Sequence, residues 1–286
     1  MSTLPYVLLR RLFVALFCIF CFAYPIAVTG VAFDVHPPFS LDWAASVLLF
    51  LEGTLLILAT MLLYGLRRAL TIGLLIIVLS YLVEILGVNS GFPFGAYHYT
   101  GILFPTLPGS VPLAVMFAWV FIVLGAYGWI QNSKRFAGVL AAVVGALLAT
   151  LLDLAIEPVA AHVVHYWQWL APGTINYYGV PLANFAAWFL VALALLLLAG
   201  RLLVHPIAVL KPSAHRDERG TQGSGRDGLQ QSASLERGLL KAVPTRLMPR
   251  LLFCTSLFMF GLVDLTHGYY AGTAAALIAA IMLLLL

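Results

Sequence analysis

Charged residues are scarce in this chain, since Lys, Arg, Asp and Glu make up only 9% of 286 residues while hydrophobic residues make up 63%. A soluble globular domain carries about 25% charged residues, so this composition excludes one. Cysteine is also rare, and three residues cannot build a disulfide framework. We interpret Cys18, Cys21 and Cys254 as small core side chains. The sequence therefore predicts an all-α polytopic membrane protein.

Long apolar stretches are what the sequence does contain. A membrane-spanning helix needs about 20 apolar residues. The chain offers eight such stretches at most, and the last has only 16 residues, so we expect eight or seven spans. The first stretch lacks a cleavage site of small residues, which favours a membrane helix over a signal peptide. The stretches lie at 11–31, 43–64, 69–88, 111–131, 136–157, 180–203, 250–268 and 271–286.

Lys and Arg are missing from every second connection between these stretches. The connections without them lie at about 32–42, 89–110, 158–179 and 268–271. Cytoplasmic loops carry an excess of Lys and Arg. We therefore predict a multi-pass protein of the bacterial inner membrane with both termini in the cytoplasm. The formal net charge of +4 then reflects topology and does not predict a nucleic-acid partner.

The composition changes near residue 205 and divides the chain. Residues 205–249 are rich in Ser, Gly, Gln, Arg and Asp, a composition that cannot build a packed core. We predict a flexible cytoplasmic linker without chemistry there. It separates the six helices of residues 1–204 from the two helices of residues 250–286.

One motif occurs twice. Residues 111–119, VPLAVMFAW, match residues 180–188, VPLANFAAW, at six of nine positions and 69 residues apart. The same offset places Glu84 on Asp153 and Tyr97 on Tyr166. If V-P-L-A were simply a common start of membrane helices, the match between the two segments would be explained. The match of Glu84 with Asp153 and of Tyr97 with Tyr166 would not. We predict an internal parallel repeat of two helices per copy, which brings the two acids face to face across its axis.

Five of the eleven acidic residues lie inside predicted spans, whereas four lie in the linker and two in the first outer loop. A carboxylate in hydrocarbon costs several kcal/mol unless it is protonated or hydrogen-bonded. For some of them a plainer role exists, because one buried acid can simply bond two helices together. We favour that role for Glu52. For Glu157, which lies at a helix end, contact with water is the alternative. For Asp264 we leave the choice between a structural and a functional role open.

The acids Asp153, Glu84 and Glu157 are the candidate catalytic residues. Asp153 and Glu157 are four residues apart, hence on one helix face. A protonated acid in a dry aromatic pocket can give its proton to a substrate, and Asp153 is our first choice as donor. Aromatic faces stabilise a cation by about 2 kcal/mol, although an interfacial aromatic belt is the simpler alternative. The candidate substrate-binding residues are Tyr97, Tyr99, Tyr166, Trp167, Trp169, Tyr177, Tyr178, Asn184 and Trp188.

Metal chemistry is the competing interpretation, because His162 and His165 could join Asp153 and Glu157 around a divalent ion. Membrane di-iron enzymes use many more clustered His than the seven present here. The magnesium motifs of membrane prenyltransferases come with basic partners for diphosphate, and the outer loops contain no Lys or Arg. We therefore predict neither a metal nor a cofactor.

Several motifs between residues 80 and 190 resemble, in order and spacing, the carotenoid 1,2-hydratase family of the CruF type, which includes the bisanhydrobacterioruberin hydratases. They are F-G-A-Y-H-Y at 94–99, L-D-L at 152–154, Y-W-Q-W at 166–169, Y-Y-G-V-P at 177–181 and N-F at 184–185. Glu157 and Ala187 depart from the family pattern, which often has Asp and Gly there.

The resemblance implies a hydro-lyase that adds water across the terminal C1–C2 double bond of a ψ-end carotenoid. Lycopene, γ-carotene and C50 carotenoids all remain open as substrates, and so do contacts with other enzymes of carotenoid synthesis. The substrate would enter from the bilayer, and water is the second reactant. A proton-coupled transporter that uses the same acids as a relay is the alternative. It is disfavoured because the cytoplasmic halves of these helices offer few polar side chains.

The distribution of Lys and Arg predicts the sidedness of two segments. A reporter fused near Gly223 should be read in the cytoplasm, and one fused near Gly173 should be read outside it. Alkaline phosphatase and green fluorescent protein fusions measure this directly. Finding both reporters on the same side of the membrane would contradict the span assignment.

Overall fold

The computed structural model describes residues 3–35, 37–38, 41–131, 133, 135–171, 173–204 and 245–286. Eight α-helices are present in these residues, and their bounds follow. They are α1 Thr3–Ala32, α2 Asp42–Tyr64, α3 Leu66–Ser90, α4 Leu113–Ile130, α5 Gly138–Pro158, α6 Leu182–Leu202, α7 Met248–His267 and α8 Tyr270–Leu285. Residues 205–244, most of the predicted linker, lie outside the described residues, so the division at 205–249 stays a prediction.

Length and apolar composition make this a polytopic membrane protein. Within the described ranges, the seven helices α1 to α7 are long and apolar enough to cross a bilayer, with mean hydropathy between 1.5 and 2.5. The last helix, α8, is apolar but shorter, with 16 residues. The predicted all-α architecture, with seven long spans and one short helix, is therefore confirmed.

Arginine side chains at one end of the bundle satisfy carbonyl groups where helices meet. Arg68, at the start of α3, donates to the carbonyl of Val204 at 2.6 Å. Arg250, in the first turn of α7, donates to the carbonyl of Gly128 at 2.9 Å. Because successive helices alternate in direction, this basic end is opposite the end formed by the two long loops. Which end faces the cytoplasm remains a prediction from the charge distribution.

Six short strands cap the opposite end of the bundle, and they lie in the two loops that follow α3 and α5. Two of them, β1 and β4, pair with each other across the two loops, whereas the others form one small hairpin in each loop. Their bounds are β1 Tyr97–Tyr99, β2 Thr106–Leu107, β3 Val111–Pro112, β4 Trp167–Trp169, β5 Asn176–Tyr177 and β6 Val180–Pro181.

The two copies of the sequence repeat meet each other through symmetrical contacts. Strands β1 and β4 run antiparallel, with Tyr97 opposite Trp169 and Tyr99 opposite Trp167. This register is unchanged when the two strands are exchanged, so a local two-fold rotation relates them. The tryptophan that ends each repeated motif also stacks on its counterpart, since the rings of Trp119 and Trp188 lie 3.9 Å apart at 14°.

Helix α4 lies at the centre of the bundle and contacts α2, α3, α5, α6 and α7. Glycine allows its closest approach. A Cβ at Gly128 would collide with the ring of Pro249 in α7, and one at Gly125 would lie 3.1 Å from the ring of Phe253. Small residues let membrane helices approach closely, which is where their packing energy comes from.

Replacing Gly128 by Ala should therefore destabilise the protein by about 1–3 kcal/mol, because overpacking a tight helix crossing forces the backbones apart. Gly200→Ala is the matched control, since a Cβ there meets nothing within 4 Å and alanine favours the helix. Thermal unfolding in detergent measures the difference. Equal melting temperatures for the two variants would contradict the packing of α4 on α7.

Candidate functional site

Glu84, near the end of α3, is buried and accepts three hydrogen bonds. The hydroxyls of Tyr97 and Tyr99 donate to its Oε2 atom at 2.6 and 2.8 Å. The indole N–H of Trp119 donates to Oε1 at 3.0 Å. Only 4% of the Glu84 surface is exposed, so these donors replace the water that a carboxylate would otherwise bind.

The loop after α3 can fold back over Glu84 because one turn of that helix presents a glycine. A Cβ at Gly87 would lie 2.9 Å from the hydroxyl oxygen of Tyr97 and 2.8 Å from the ring of Phe94. With no side chain there, the aromatic residues of the loop pack directly on the helix. This contact brings β1, and both of its tyrosines, over the buried acid.

Glu157, at the end of α5, is held in a similar way but by different donors. The indole N–H groups of Trp167 and Trp169 both donate to its Oε2 atom at 3.0 Å. The side-chain amide of Asn184, from the first turn of α6, donates to Oε1 at 2.9 Å. Glu157 is 2% exposed, so the alternative that it faces water at a helix end is wrong.

Asp153 lies one turn before Glu157 and is fully buried. Its Oδ2 atom accepts a hydrogen bond of 3.1 Å from the same amide nitrogen of Asn184. Its Oδ1 atom has no hydrogen-bond partner within the described part of the chain. One amide group therefore bridges two neighbouring acids.

The hydrogen bonds make Glu157, rather than Asp153, the counterpart of Glu84. Each of the two glutamates is bound by two side chains of the strand that follows it, and these strands are the symmetry-related pair β1 and β4. The reason lies in the spacing. The first donor comes 13 residues after Glu84 but only 10 residues after Glu157. Both helical stretches continue for six residues beyond their glutamate, α3 to Ser90 and α5 through a wider turn to Val163. Six residues then lead to β1, but only three lead to β4. The offset of 69 residues thus relates the VPLA segments but not the acids.

Between the two glutamates lies a partly open cavity, whose empty space is about 330 Å³ when the open space at its mouth is included. Both acids line it, and six of its ten lining residues are aromatic. None of the ten is Lys or Arg. Asp153 is not among them, because Asn184 stands between it and the cavity. The lining residues are Glu84, Phe94, Tyr97, Tyr99, Val115, Glu157, Trp167, Trp169, Asn184 and Trp188.

Most of the predicted substrate-binding residues line this cavity, but Tyr166, Tyr177 and Tyr178 do not. The hydroxyl of Tyr177 donates to the carbonyl of Leu154 at 2.9 Å. Tyr178 packs edge-on against Tyr269 at 5.2 Å. The hydroxyl of Tyr178 also accepts from the backbone N–H of Ala271, and its ring packs against Tyr177, so the two tyrosines belong to a separate aromatic cluster. Tyr166, Tyr177 and Tyr178 are thus not lining residues of this cavity, and their contact with substrate stays a prediction.

Two lining residues and one hydrogen-bond donor were not predicted from the sequence. Phe94 and Val115 complete the cavity wall, and Trp119 binds Glu84. The repeat itself carried the signal for Trp119, because it occupies the same position as the predicted residue Trp188. Phe94 belongs to the F-G-A-Y-H-Y motif, but its large ring alone did not distinguish it from a packing residue.

The two histidines of the metal hypothesis bond to backbone carbonyls. His162 Nε2 lies 2.6 Å from the carbonyl oxygen of Tyr178, and His165 Nδ1 lies 3.1 Å from that of Ala161. Among the residues that the structure describes, no three His, Cys, Asp or Glu side chains gather as a metal site would require.

Besides Asp153, two buried acids lie outside the cavity. Glu52, in α2, is not among the lining residues. Asp264, in α7, is fully buried, and neither carboxylate oxygen has a hydrogen-bond partner in the described ranges. Gly272 of α8 makes room for it, since a Cβ there would collide with the carboxylate.

The two tyrosines on Glu84 stay protonated. Burial, together with the neighbouring Glu84 carboxylate, raises the pKa of Tyr97 and of Tyr99 well above the usual value for a phenol. Both hydroxyls therefore carry a proton at any physiological pH, and each can serve as a hydrogen-bond donor to the acid beneath it.

The family model described as "Carotenoid biosynthesis protein" matches residues 44–216, which is more than half of the chain and includes every cavity residue. The chain belongs to this family. Membership confirms the resemblance seen in the motifs, and it places the cavity inside the part of the sequence that the family shares.

One curated relative is a bisanhydrobacterioruberin hydratase from Haloarcula japonica. It is 32% identical over 114 residues, which are 39% of this chain and 38% of that protein. The chain thus matches well under half of the relative's length. No solved structure matches the chain.

The hydrogen bond from Trp119 to Glu84 predicts a stability difference between two tryptophans of α4. Trp119→Phe should destabilise the protein by about 1–3 kcal/mol, because a buried carboxyl oxygen loses its donor. Trp129→Phe is the matched control, since its buried indole nitrogen has no hydrogen-bond partner in the described structure. Both changes remove the same volume and keep an aromatic ring, which faces Trp188 at position 119 and Arg250 at position 129. The main difference between the variants is the N–H group, and melting temperatures in detergent measure it. A loss no greater for Trp119→Phe than for Trp129→Phe would contradict this role.

Proposed function

We propose that this protein is a membrane-embedded carotenoid hydratase that adds water across the terminal C1–C2 double bond of a ψ-end carotenoid. The observation that carries the proposal is the pair of buried glutamates, Glu84 and Glu157, on one aromatic-lined cavity. Adding water to an alkene needs one group that gives a proton and one that takes a proton. Two carboxyl groups on opposite sides of the same space supply both.

In the first step, a protonated glutamic acid gives its proton to C2 of the double bond. The π electrons form the new C2–H bond, and C1 is left as a tertiary cation. The aromatic faces of Tyr97, Trp167 and Trp188 line the cavity, and such faces stabilise a desolvated cation by about 2 kcal/mol or more. Because the donors around each acid are already in place, little reorganisation is needed when the charge develops.

In the second step, a water molecule captures the cation. Its oxygen forms the C1–O bond, and its surplus proton passes to the second glutamate, which is ionised. The product is a tertiary alcohol, and the atoms balance as alkene plus water. The first glutamate is now ionised and the second protonated, so one proton must return between them. Since both line the same cavity, the next water that enters can carry it. The reaction needs no cofactor.

The cavity would receive one end of the carotenoid, because its two glutamates and its aromatic side chains lie around a single space. The long polyene would then remain among the helices or in the bilayer. Hydrocarbon surroundings also exclude stray water, which would otherwise quench the cation.

Asp153 takes a supporting role in this proposal. It was the sequence-based choice of proton donor, but it stands behind Asn184 and reaches the cavity only through that amide. We therefore assign the proton transfers to Glu84 and Glu157. The alternative of a proton-coupled transporter is not favoured, because the acids around Asn184 lie at one end of the bundle, whereas a relay needs polar groups across its full thickness.

Variants of the three acids test the proposal in a lycopene-producing host. Glu84→Gln and Glu157→Gln should each lower the 1-hydroxy product by about 100-fold or more, because each removes a proton-transfer group while keeping the shape. Asp153→Asn should lower it less, since Asp153 acts through Asn184. Pigment extraction and liquid chromatography with mass spectrometry measure the product against matched protein levels.

Glu52→Gln is the matched control for these variants, as it changes a buried acid outside the cavity and should keep near-normal product. Wild-type product from both Glu84→Gln and Glu157→Gln would remove the site from consideration. If the wild-type protein hydrates neither lycopene, γ-carotene nor a C50 carotenoid, the proposed function itself is wrong.

A further inference from the structure

The two cavity glutamates are bound by chemically different donors. Tyr97 and Tyr99 bind Glu84 through phenol hydroxyls, whereas Trp167 and Trp169 bind Glu157 through indole N–H groups. An indole N–H can only donate a hydrogen bond. A phenol hydroxyl can donate one and also accept one. This difference decides which glutamate can hold a proton without losing its hydrogen bonds.

At Glu157, every hydrogen-bond partner in the described structure favours the ionised form. Its Oε2 atom faces two indole N–H groups at 3.0 Å, so a proton on that oxygen would point at hydrogens that cannot move away. Its Oε1 atom accepts from the amide of Asn184 at 2.9 Å. Hydrogen bonds that a carboxylate accepts stabilise its charged form. Glu157 is therefore built to be a carboxylate.

The neighbouring Asp153 does not reverse this conclusion. The two acids share the amide of Asn184, but Glu157 has two further donors, and Asp153 has one oxygen without a partner among the described residues. When two close acids share one negative charge, the charge resides where more donors meet it. The proton of this pair therefore belongs on Asp153, and Glu157 remains ionised.

The side chain of Glu84 keeps its hydrogen bonds whether it is ionised or protonated. When Glu84 is ionised, the hydroxyls of Tyr97 and Tyr99 donate to Oε2. When Oε2 carries a proton, one hydroxyl can rotate and accept it. Trp119 donates to the other oxygen, Oε1, in both cases. The hydroxyl that turns can donate its own hydrogen to the other one, since Tyr97 and Tyr99 lie within hydrogen-bonding reach of each other. Glu84 can thus gain and lose a proton while the buried groups around it keep their partners.

We propose that Glu84 is the acid that protonates C2 and that Glu157 is the base that accepts the proton of the attacking water. This assignment rests on the proposed hydratase function and divides its two proton transfers between two named residues. Trp167 and Trp169 are then positioning residues that keep Glu157 ionised. Tyr97 and Tyr99 are positioning residues that let Glu84 exchange its proton.

Azide distinguishes the acid from the base, because it is a nucleophile that has no proton to lose. In Glu157→Gln, Glu84 should still protonate C2, and azide should capture the cation at C1 to give a 1-azido carotenoid. The alcohol should fall by about 100-fold or more, since water lacks its base. In Glu84→Gln no cation forms, so neither product should appear. Membranes that hold the full-length protein are incubated with the carotenoid and sodium azide, and mass spectrometry quantifies both products.

A second pair of variants gives the same answer even if a glutamine variant fails to fold. The ratio of azide product to alcohol within one sample does not depend on how much folded protein is present. Trp167→Phe removes one of the donors that keep the base ionised and leaves an aromatic ring in the cavity, so this ratio should rise by about tenfold relative to the wild-type protein. Tyr97→Phe is the matched control, because it weakens the protonation step that precedes both products and should leave their ratio unchanged.

The outcomes separate this assignment from the proposed function. Azide product from Glu84→Gln, from both glutamine variants or from neither would overturn the assignment while wild-type hydration still stands. A ratio that rises for Tyr97→Phe and not for Trp167→Phe would overturn it as well. Failure of the proposed function looks different, since the wild-type protein would then form no alcohol in these membranes.

Discussion

A carboxyl group buried among hydrocarbon must find hydrogen-bond donors, and the loop end of this protein is arranged around that requirement. Leaving such a group unsatisfied costs several kcal/mol. Helices α3 and α5 cannot supply the donors themselves, because their own N–H groups are used within the helix. The donors come instead from the strands that fold back over the helix ends, from α4 and from α6.

The pairing of β1 with β4 holds this arrangement together. Each strand carries two donors for its own glutamate, and backbone hydrogen bonds between the strands fix the two sets relative to each other. Side chains on one face of a pleated strand are two residues apart, which matches the spacing of Tyr97 and Tyr99 and of Trp167 and Trp169. Three residues of sheet per copy are thus enough to place both acids on one cavity.

The sequence predicts the helices well, because long apolar stretches and the physics of the bilayer leave few alternatives. It also identifies the acids and most of the aromatic residues. It does not predict which acid of the second copy matches Glu84, because the connection to the strand is three residues shorter in that copy, where 10 residues instead of 13 separate acid and donor. A repeat found at one offset in sequence need not have that offset throughout. The sequence also does not predict that Tyr177 and Tyr178 lie outside the cavity. Strands of two residues are too short for a periodic pattern that would indicate which way their side chains point.

The polar groups around the two glutamates differ in how easily they change from donating a hydrogen bond to accepting one. The hydroxyls of Tyr97 and Tyr99 change direction by rotating one O–H bond, whereas the amide of Asn184 would have to turn over and give up both of the hydrogen bonds that it donates. The rest of the cavity wall is formed by Phe94, Val115 and Trp188. These side chains provide apolar and aromatic surface but no group that accepts a proton. Few arrangements of protons are possible in such a cavity. This is important because the surrounding hydrocarbon keeps out the bulk water that would otherwise supply or remove a proton.

The two-fold relation between β1 and β4 has a consequence for how such a site can be encoded. In a homodimer of identical halves, symmetry would force both strands to carry the same residues, and the two glutamates would be chemically equivalent. Joining the halves in one polypeptide removes that restriction. Tyrosines can occupy one strand and tryptophans the other while the backbone pairing stays the same. The strand pairing thus stays symmetric, and the chemical difference between the two glutamates lies in side chains, where a single codon can change it.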